Sequence, residues 1–384
     1  MKVLKKIGLG LSVFSLLAVT ACGSAGTSGG GSSQGGSTAS EILIGVQSPT
    51  TGSEAKMGQD INNAIQLAAD EINDKGGING KKIKLVFADD ACDPQTATAA
   101  ANKLVSQGVV AVVGGYCSGA TLPASGVYHN AGIPMVVTAA NSAKIPAQGY
   151  KEIFLVNGTT VHQGEVAADH MVAKLGGKRI AIVHDNSAFA KDLAEITKKA
   201  VEKKGGQVVA FEAVNPEEKD FTSLLTKLKN AKPDATYWTA YYAAGGLLIK
   251  QFKQLGVPGV IGVGDGANDK TLIDIAGKQA AEGTFVTTSP TPEFLPEAKS
   301  FNESYTKKFS QAPGPYSALS YDGMRLLADA ISRAGSTDKA AIVKALKETK
   351  AFKTFGGNVS FKEDGTLEKS NFIVIQVKDG KFSK

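Results

Sequence analysis

The sequence predicts an α/β protein of two doubly wound lobes, and three observations support this prediction. Apolar strands alternate with amphipathic helices almost without a break from about Glu41 onwards. The alternation stops near 156–160 and then restarts. The chain from Glu41 to Lys384 also exceeds the roughly 250–300 residues at which single cores stop growing. Because strands joined by helices favour parallel sheets with right-handed crossovers, each half is expected to form its own sheet.

The first half alternates four predicted strands with three helices. The first helix carries apolar residues such as Ile61, Ile65 and Ile72 at helical spacing, and Gly76-Gly77 stops it. Asp93-Pro94 supplies the start signal of the second helix. The predicted strands are 41–46, 82–88, 109–113 and 133–137, and the helices are 55–74, 94–107 and 118–130.

The second half repeats this pattern and then becomes mainly helical. Its predicted strands are 179–184, 207–211, 235–239 and 260–263, and its helices are 161–175, 189–204, 221–229 and 243–255. Three further helical patterns follow at 294–309, 317–334 and 339–348, and a hairpin-like strand pair follows at 358–361 and 372–377. We assign 41–158 and 288–368 to lobe 1, and 159–287 and 369–384 to lobe 2.

The N-terminus has the anatomy of a secretory signal. Three lysines precede an apolar run from Ile7 to Val19, which is shorter than the about 20 residues needed to span a bilayer. The stretch Leu17–Cys22 looks like a bacterial lipoprotein signal, in which cleavage before the cysteine leaves it acylated. We therefore expect a signal peptide at 1–21, lipidation at Cys22, and an exported protein anchored to the outer face of the cell membrane. An ordinary signal peptide with an incidental cysteine is the alternative.

A flexible tether is predicted between this anchor and the folded protein. Residues 23–40 are only Gly, Ser, Ala, Thr and Gln34, a composition that does not bury a core. Eighteen such residues reach roughly 20–25 Å. Together with Cys22, they form a segment at 22–40 that holds the lobes close to the lipid surface.

Charge and cysteine content narrow the class of protein further. The formal charge is +6, and loss of the three signal lysines leaves +3, which is too small to indicate nucleic-acid binding. Cys92 and Cys117 remain once Cys22 is lipidated, and an even pair in an exported protein indicates a disulfide. That bridge would close a loop of about 25 residues and contribute roughly 3 kcal/mol. A reactive thiol at Cys117 is the alternative.

The candidate binding residues follow predicted strands, where doubly wound sheets hold their ligands. Ser118 ends a Gly-rich segment at a helix start, which suits a carboxylate, although Ser118 also fits a simple helix cap. A second loop, 138–141, follows the next strand and ends at Asn141. In the second half, Asp265 lies on a Gly-flanked loop and is either a ligand for a cation or a turn residue.

Catalytic and metal-binding patterns are weak in this sequence. His162, Glu165 and Asp169 share one helical face, but their spacing matches no zinc motif and a solvated face is the better interpretation. The cleft candidates offer no nucleophile–base pair. We therefore expect no metal, no cofactor and no enzymatic activity.

Several motifs together resemble the bacterial leucine/isoleucine/valine-binding proteins. These proteins are the substrate receptors of branched-chain amino-acid ABC transporters, and the resemblance extends from Glu41 to about Val377. The motifs that carry it occur in order at matching separations: 89–94 (DDACDP), Cys117-Ser118, 180–185 (IAIVHD), 218–221 (EKDF) and 275–277 (IAG).

The resemblance implies a type I periplasmic-binding fold whose lobes, joined by a three-strand hinge, close on the ligand like a clamshell. It also implies the Cys92–Cys117 disulfide. Ser118 and Ala139 would hold the ligand carboxylate. Asp265 would hold the ammonium, at a position where the family more often has Glu. Tyr241 and Tyr316 match aromatic residues of the cleft.

Three departures from the family pattern bear on the choice of ligand. Asn141 replaces a Thr of the ammonium-binding loop, Phe189 replaces a pocket Tyr, and Met57 replaces an aromatic residue near the first helix. The expected ligand is an α-amino acid with an aliphatic side chain. The protein is expected to be a monomer that delivers this ligand to an ABC permease. A receptor for another small solute, such as an amide, urea or an aromatic acid, and a sensor for a membrane signalling protein remain the alternatives.

Overall fold

The computed structural model describes residues 41–384. The signal segment, Cys22 and the tether lie outside the described residues. The chain from 41 onwards builds two large sheets, each flanked by helices, and a separate two-stranded sheet. Within residues 41–384, no helix combines the length and the apolarity that crossing a membrane requires.

The first sheet is entirely parallel, with strand order β2-β1-β3-β4-β5. Asp93 caps the second helix by accepting the Thr96 N–H at 2.8 Å, and Pro94 occupies the first helical position, as its fixed φ favours. The elements of this part are β1 (Ile42–Ser48), α1 (Ala55–Asp74), β2 (Ile83–Asp89), α2 (Pro94–Ser106), β3 (Ala111–Gly114), α3 (Ser118–Asn130), β4 (Met135–Val137) and β5 (Ile153–Leu155).

The second sheet repeats this order as β7-β6-β8-β9-β10, with all neighbouring strands parallel. The predicted helix 161–175 is split, because a π-helical segment at Asp169–Lys174 follows its α-helical part. The elements are α4 (Thr160–Ala168), β6 (Arg179–His184), α5 (Ala188–Lys203), β7 (Gln207–Ala213), α6 (Thr222–Ala231), β8 (Ala235–Trp238), α7 (Tyr242–Gln254), β9 (Val260–Val263), α8 (Lys270–Ala276), α9 (Lys278–Ala281) and β10 (Phe285–Thr288).

The C-terminal part returns to the first sheet and then adds two strands to the second. Helix α11 packs on α1, β3 and β4, whereas β13 extends the second sheet antiparallel to β10. The elements are α10 (Lys299–Phe309), α11 (Ser317–Ala334), α12 (Lys339–Lys347), β11 (Phe352–Thr354), β12 (Gly357–Val359), β13 (Ile373–Lys378) and β14 (Lys381–Ser383).

The predicted hairpin of 358–361 with 372–377 is wrong. Strand β12 pairs with β11, and β13 pairs with β10 and β14. The apolar pattern identified both segments as extended, but periodicity does not identify the partner of a strand. The single predicted helix 294–309 is likewise two short 3₁₀ turns followed by α10. Strands β5, β10, β11 and β14 were missed.

The chain passes between the two sheets three times, at 156–159, 289–291 and 368–372. The predicted α/β class with parallel sheets is confirmed, while the lobe boundaries at 158, 287 and 368 stay a prediction. In both sheets the order reverses beside the first strand, so β1 and β3 flank one topological switch point and β6 and β8 flank the other. Ligands of doubly wound folds bind in the crevice outside such points.

Candidate functional site

The loops at the carboxyl ends of the two sheets meet in one interlobe cleft. The Tyr116 ring, just after β3, lies 5.9 Å from the Tyr241 ring, which follows β8. The Tyr242 hydroxyl of α7 donates to the Ser53 carbonyl at 2.7 Å, ahead of α1. Lys56 of α1 forms an ion pair with Asp269 of the second lobe. The candidate binding loops of both lobes therefore face one another across a closed cleft.

Ser118 lies at the start of α3, with its side chain buried. Its Oγ accepts the backbone N–H of Ser142 at 3.2 Å, which leaves its own hydroxyl hydrogen available to donate. The Ala120 and Thr121 amides donate to the Cys117 carbonyl, which leaves the Ser118 and Gly119 amides of the first turn without an acceptor in the helix. Gly114, at the end of β3, lies close to the backbone of β1. A side chain would not fit there, because its φ is +128° and a Cβ would lie 2.4 Å from the Gln47 carbonyl oxygen. This end of the cleft is suited to an anion.

Asp265 opens a short 3₁₀ turn after β9 and is only 2 % exposed. Its Oδ2 accepts the Asn141 amide at 3.1 Å across the cleft. Its Oδ1 is buried and has no hydrogen-bond partner among the described residues. Burial raises the pKa of Asp265 to about 6, against the opposing effect of nearby polar side chains, with Gln163 the largest. A buried oxygen of this kind carries a desolvation cost that an incoming cation would remove.

Asn141 joins the two lobes at this position. Its amide nitrogen donates both to Asp265 and to the Gln163 Oε1 at 3.1 Å. Gln163, on α4, is fixed in turn by donating to the Thr287 carbonyl at 3.1 Å. Sequence reasoning missed Gln163. Its signal was a polar residue on an otherwise buried face of the helix that follows the first crossing.

Ala139 has partners for both of its backbone groups. Its N–H donates to the Gly115 carbonyl at 3.2 Å, and its carbonyl accepts the Asn157 amide at 2.9 Å. Ala139 lies in the loop after β4, two residues before Asn141. Its contact with a ligand carboxylate stays a prediction.

Aromatic side chains form one wall of the cleft, and they include the predicted Tyr241, Tyr316 and Phe189. The Tyr316 ring lies 5.5 Å from Tyr116, and Phe189 lies 5.7 Å from Tyr241. Gly266 permits this arrangement, since a Cβ there would lie 2.8 Å from the Phe189 ring. Met57, on α1, is buried in the apolar core, and its contact with a ligand stays a prediction.

Glu54 is a cleft residue that the sequence analysis missed. It precedes α1 and is 4 % exposed, and its Oε2 lies 3.3 Å from the Tyr116 hydroxyl. The same hydroxyl lies 3.5 Å from the Gly266 carbonyl of the other lobe. Burial raises the pKa of Glu54 to about 7. An acidic residue in the loop after the first strand was the available signal, because that loop borders the switch point.

A cavity of about 520 Å³ opens beside this wall and is lined from both lobes. Glu54 and Gly119 contribute from the first lobe, and Asp185 and Tyr241 contribute from the second. Its lining includes Cys117, the residue before Ser118, but not Ser118, Asn141 or Asp265 themselves. Residues 41–384 contain no cluster of three His, Cys, Asp or Glu side chains able to hold a metal ion.

The structure contains the predicted disulfide between Cys92 and Cys117, whose Cα atoms are 5.3 Å apart. It joins the loop after β2 to the start of α3. Ser118 is the next residue, so the bridge fixes the backbone that presents the Ser118 hydroxyl.

Comparison with known proteins places this arrangement among solute receptors. The family model described as periplasmic binding protein matches residues 41–381. A Leu/Ile/Val-binding protein homolog from Brucella melitensis is 36% identical over 355 residues, covering 91% of this chain and 94% of the relative. The leucine-binding protein LivK of Thermotoga maritima has a TM-score of 0.83 at 31% identity, covering 89% of this chain and 97% of its own. The substrate-binding protein LivJ of Streptococcus pneumoniae, in complex with isoleucine, has a TM-score of 0.82 at 30% identity and covers 90% and 98%.

Proposed function

Since the chain belongs to the periplasmic binding protein family, we propose that it is an extracytoplasmic receptor for an α-amino acid. The ligand lies between the lobes and is delivered to an ABC permease. Leucine, isoleucine and valine are the preferred candidates. The names of the relatives, which refer to leucine, isoleucine and valine, support this choice, as does isoleucine in the LivJ complex.

The observation that carries the proposal is that, within residues 41–384, Asp265 Oδ1 on the second lobe has no hydrogen-bond partner, while Ser118 on the first lobe accepts the Ser142 N–H and keeps its hydroxyl hydrogen to donate. A zwitterion needs a cation-binding and an anion-binding group, and each lobe supplies one. The ammonium pairs with Asp265, and the carboxylate accepts the Ser118 hydroxyl and the Ser118 and Gly119 amides at the start of α3. Closure follows because only the closed cleft pairs both charges.

The side chain of the ligand lies among apolar and aromatic groups in this proposal. Phe189, Tyr241 and Tyr316 contact one another directly or through Tyr116. Burying an aliphatic side chain there contributes about 1.5–3 kcal/mol for a residue the size of leucine or valine. Met57, buried on α1, stays a predicted contact of the same ligand side chain from the first lobe.

The remaining elements of the proposal concern the cell surface. Cleavage before Cys22 and its lipidation would anchor the receptor outside the cell membrane, and residues 22–40 would tether it there. We further propose that the protein acts as a monomer and that it neither uses a cofactor nor catalyses a reaction. The proposed boundaries between its lobes are at residues 158, 287 and 368.

A thermal-shift panel of the full-length protein against the twenty amino acids tests the proposal. A ligand at 100 times its dissociation constant stabilises a protein by about 2.7 kcal/mol, which gives a clear rise in Tm. We expect leucine, isoleucine and valine to give the largest rises. Two matched controls, isocaproate without the ammonium and isoamylamine without the carboxylate, should give none. A panel in which no α-amino acid raises Tm would refute the proposal.

A further inference from the structure

A second buried carboxylate joins the two lobes, and the site described above does not use it. Asp192 lies on α5 in the second lobe and is 6 % exposed. Its Oδ2 accepts three donors: the Ser142 hydroxyl at 2.8 Å, the Ala143 N–H at 2.9 Å and the Thr160 hydroxyl at 2.7 Å. We call these four residues the Asp192 contact.

Two of the three donors come from the opposite lobe. Ser142 and Ala143 lie in the loop that follows β4 of the first sheet, whereas Thr160 is the first residue of α4. The Ala143 N–H is also 2.9 Å from the Thr160 hydroxyl oxygen. When the lobes separate, Ser142 and Ala143 exchange these partners for water, so their bonds to Asp192 belong to the closed cleft.

The same loop also carries the groups that would meet the ligand. The Ser142 N–H donates to Ser118 Oγ, and this bond leaves the Ser118 hydrogen directed elsewhere. The preceding residue, Asn141, donates to Asp265. By holding the Ser142 side chain, Asp192 therefore also fixes the backbone at 141–142, whose residues contact Ser118 and Asp265.

We propose that Asp192 is a positioning residue for ligand retention: by accepting Ser142 and Ala143 across the cleft, it selects the closed state and orients the 141–143 loop. This inference rests on the proposed function, because it needs a ligand held between the lobes. Hydrogen bonds to an ionised acceptor are about twice as strong as neutral ones. They act after the ligand has entered, so the dissociation rate should carry their effect.

Stopped-flow fluorescence of the full-length protein with L-isoleucine tests the proposal. The single tryptophan, Trp238, donates to the Tyr241 carbonyl beside the cleft and serves as the reporter. For Asp192→Ala we expect dissociation to accelerate by about 10- to 100-fold, with the association rate within about threefold of wild type. Asp192→Asn retains a carbonyl acceptor, so it should accelerate dissociation less than Asp192→Ala does.

Asp169→Ala is the matched control, because Asp169 pairs with Lys204 within one lobe and is half exposed. It should leave both rates unchanged. If Asp192→Ala does not fold, Ser142→Ala removes one cross-lobe donor and should accelerate dissociation by about three- to tenfold. Dissociation within twofold of wild type in the folded variants would overturn the proposal.

Amide exchange separates this proposal from the proposed function. A wild type that fails to bind L-isoleucine refutes the choice of ligand, and the exchange rate of the Ala143 amide then decides the Asp192 contact. We expect that amide to exchange several-fold faster in Asp192→Ala than in wild type, because it loses Asp192 Oδ2 as an acceptor and keeps only the Thr160 hydroxyl oxygen. An unchanged rate would overturn the contact, whatever the protein binds.

Discussion

Asp192 and Asp265 are two buried carboxylates of the second lobe that face one short loop of the first, yet their surroundings differ. Asp192 Oδ2 accepts three donors from the protein itself. Asp265 accepts one donor across the cleft, and its Oδ1 has no partner among the described residues. The difference separates two tasks: a carboxylate satisfied by protein stabilises closure, and one left incomplete is available to a ligand.

The surroundings of Asp265 also disfavour its ionised form. Burial raises its pKa to about 6, although the nearby polar groups of Gln163, Asn157 and Tyr316, which lie outside hydrogen-bonding geometry with it, oppose this shift. Asp265 in turn raises the pKa of the Tyr316 hydroxyl well above 10, after the larger effect of burial. An ammonium beside Asp265 would favour its ionised form and reverse part of this cost.

Truncating Asp265 gives the largest expected change in affinity. In Asp265→Ala the ligand ammonium stays desolvated and unpaired, which costs on the order of 2–5 kcal/mol, or roughly 30- to several-thousand-fold in Kd. Isothermal titration with the best amino acid measures it. Asp169→Ala serves as the control, since its exposed carboxylate lies outside the cleft. Binding of Asp265→Ala within threefold of wild type would disprove the ammonium contact.

Titration of the same carboxyl gives the pH dependence of binding. The bound ammonium lowers the pKa of Asp265 from its ligand-free value of about 6. Affinity is therefore full above that pH and is lost as pH falls through it, by up to about tenfold per pH unit. Titrations between pH 5 and 8 should show this decline in wild type. A profile that stays flat below pH 6 would contradict it.

Glu54 is a buried carboxylate of the first lobe that, like Asp265, has no cationic partner among the described residues. The Tyr116 and Ser53 hydroxyls lie near it, and the neighbouring Lys56 pairs with Asp269 instead. Burial raises the pKa of Glu54 from 4.5 to about 7, and Asp185 and Asp269 add to the shift. The folded state then binds more protons than the unfolded state between pH 4.5 and 7. The free energy of unfolding consequently falls as pH rises through that window and stays low above it.

Glu54→Gln removes this ionisation and retains the shape of the side chain. At pH 8 the variant should be more stable than wild type by up to about 3 kcal/mol, and near pH 4.5 the two should be equal. Thermal unfolding at both pH values measures the difference. Glu41→Gln, at an exposed position, is the control and should show no such pH-dependent gap. A gap of equal size at both pH values would mean that ionisation of Glu54 is not its cause.

The sequence predicted the fold more fully than the cleft, for reasons that particular residues illustrate. Strands and helices follow from local periodicity, as in α1, whose apolar residues fall at helical spacing. The pairing of β13 with β10 does not follow from local periodicity, because contacts between distant segments decide which strands pair. Ser118, Asn141 and Asp265 could be predicted as cleft residues because they follow strands, and their contacts with a ligand stay a prediction. Asp192 was missed because, in the sequence, it is one polar residue on an amphipathic helix and its three donors are distant.

Ser118→Ala makes the smallest change and tests which of the two tasks Ser118 serves. If its hydroxyl is one donor among several to the ligand carboxylate, affinity should fall by about 1–2 kcal/mol, or roughly 5- to 30-fold. Isothermal titration with L-leucine measures this loss, and Ser106→Ala, on the exposed surface of α2, is the control. L-leucinamide lacks the carboxylate, so wild type and Ser118→Ala should differ less with it than with L-leucine. An equal loss with both ligands would instead assign Ser118 to closure, because its Oγ accepts the Ser142 N–H and so belongs with the Asp192 contact.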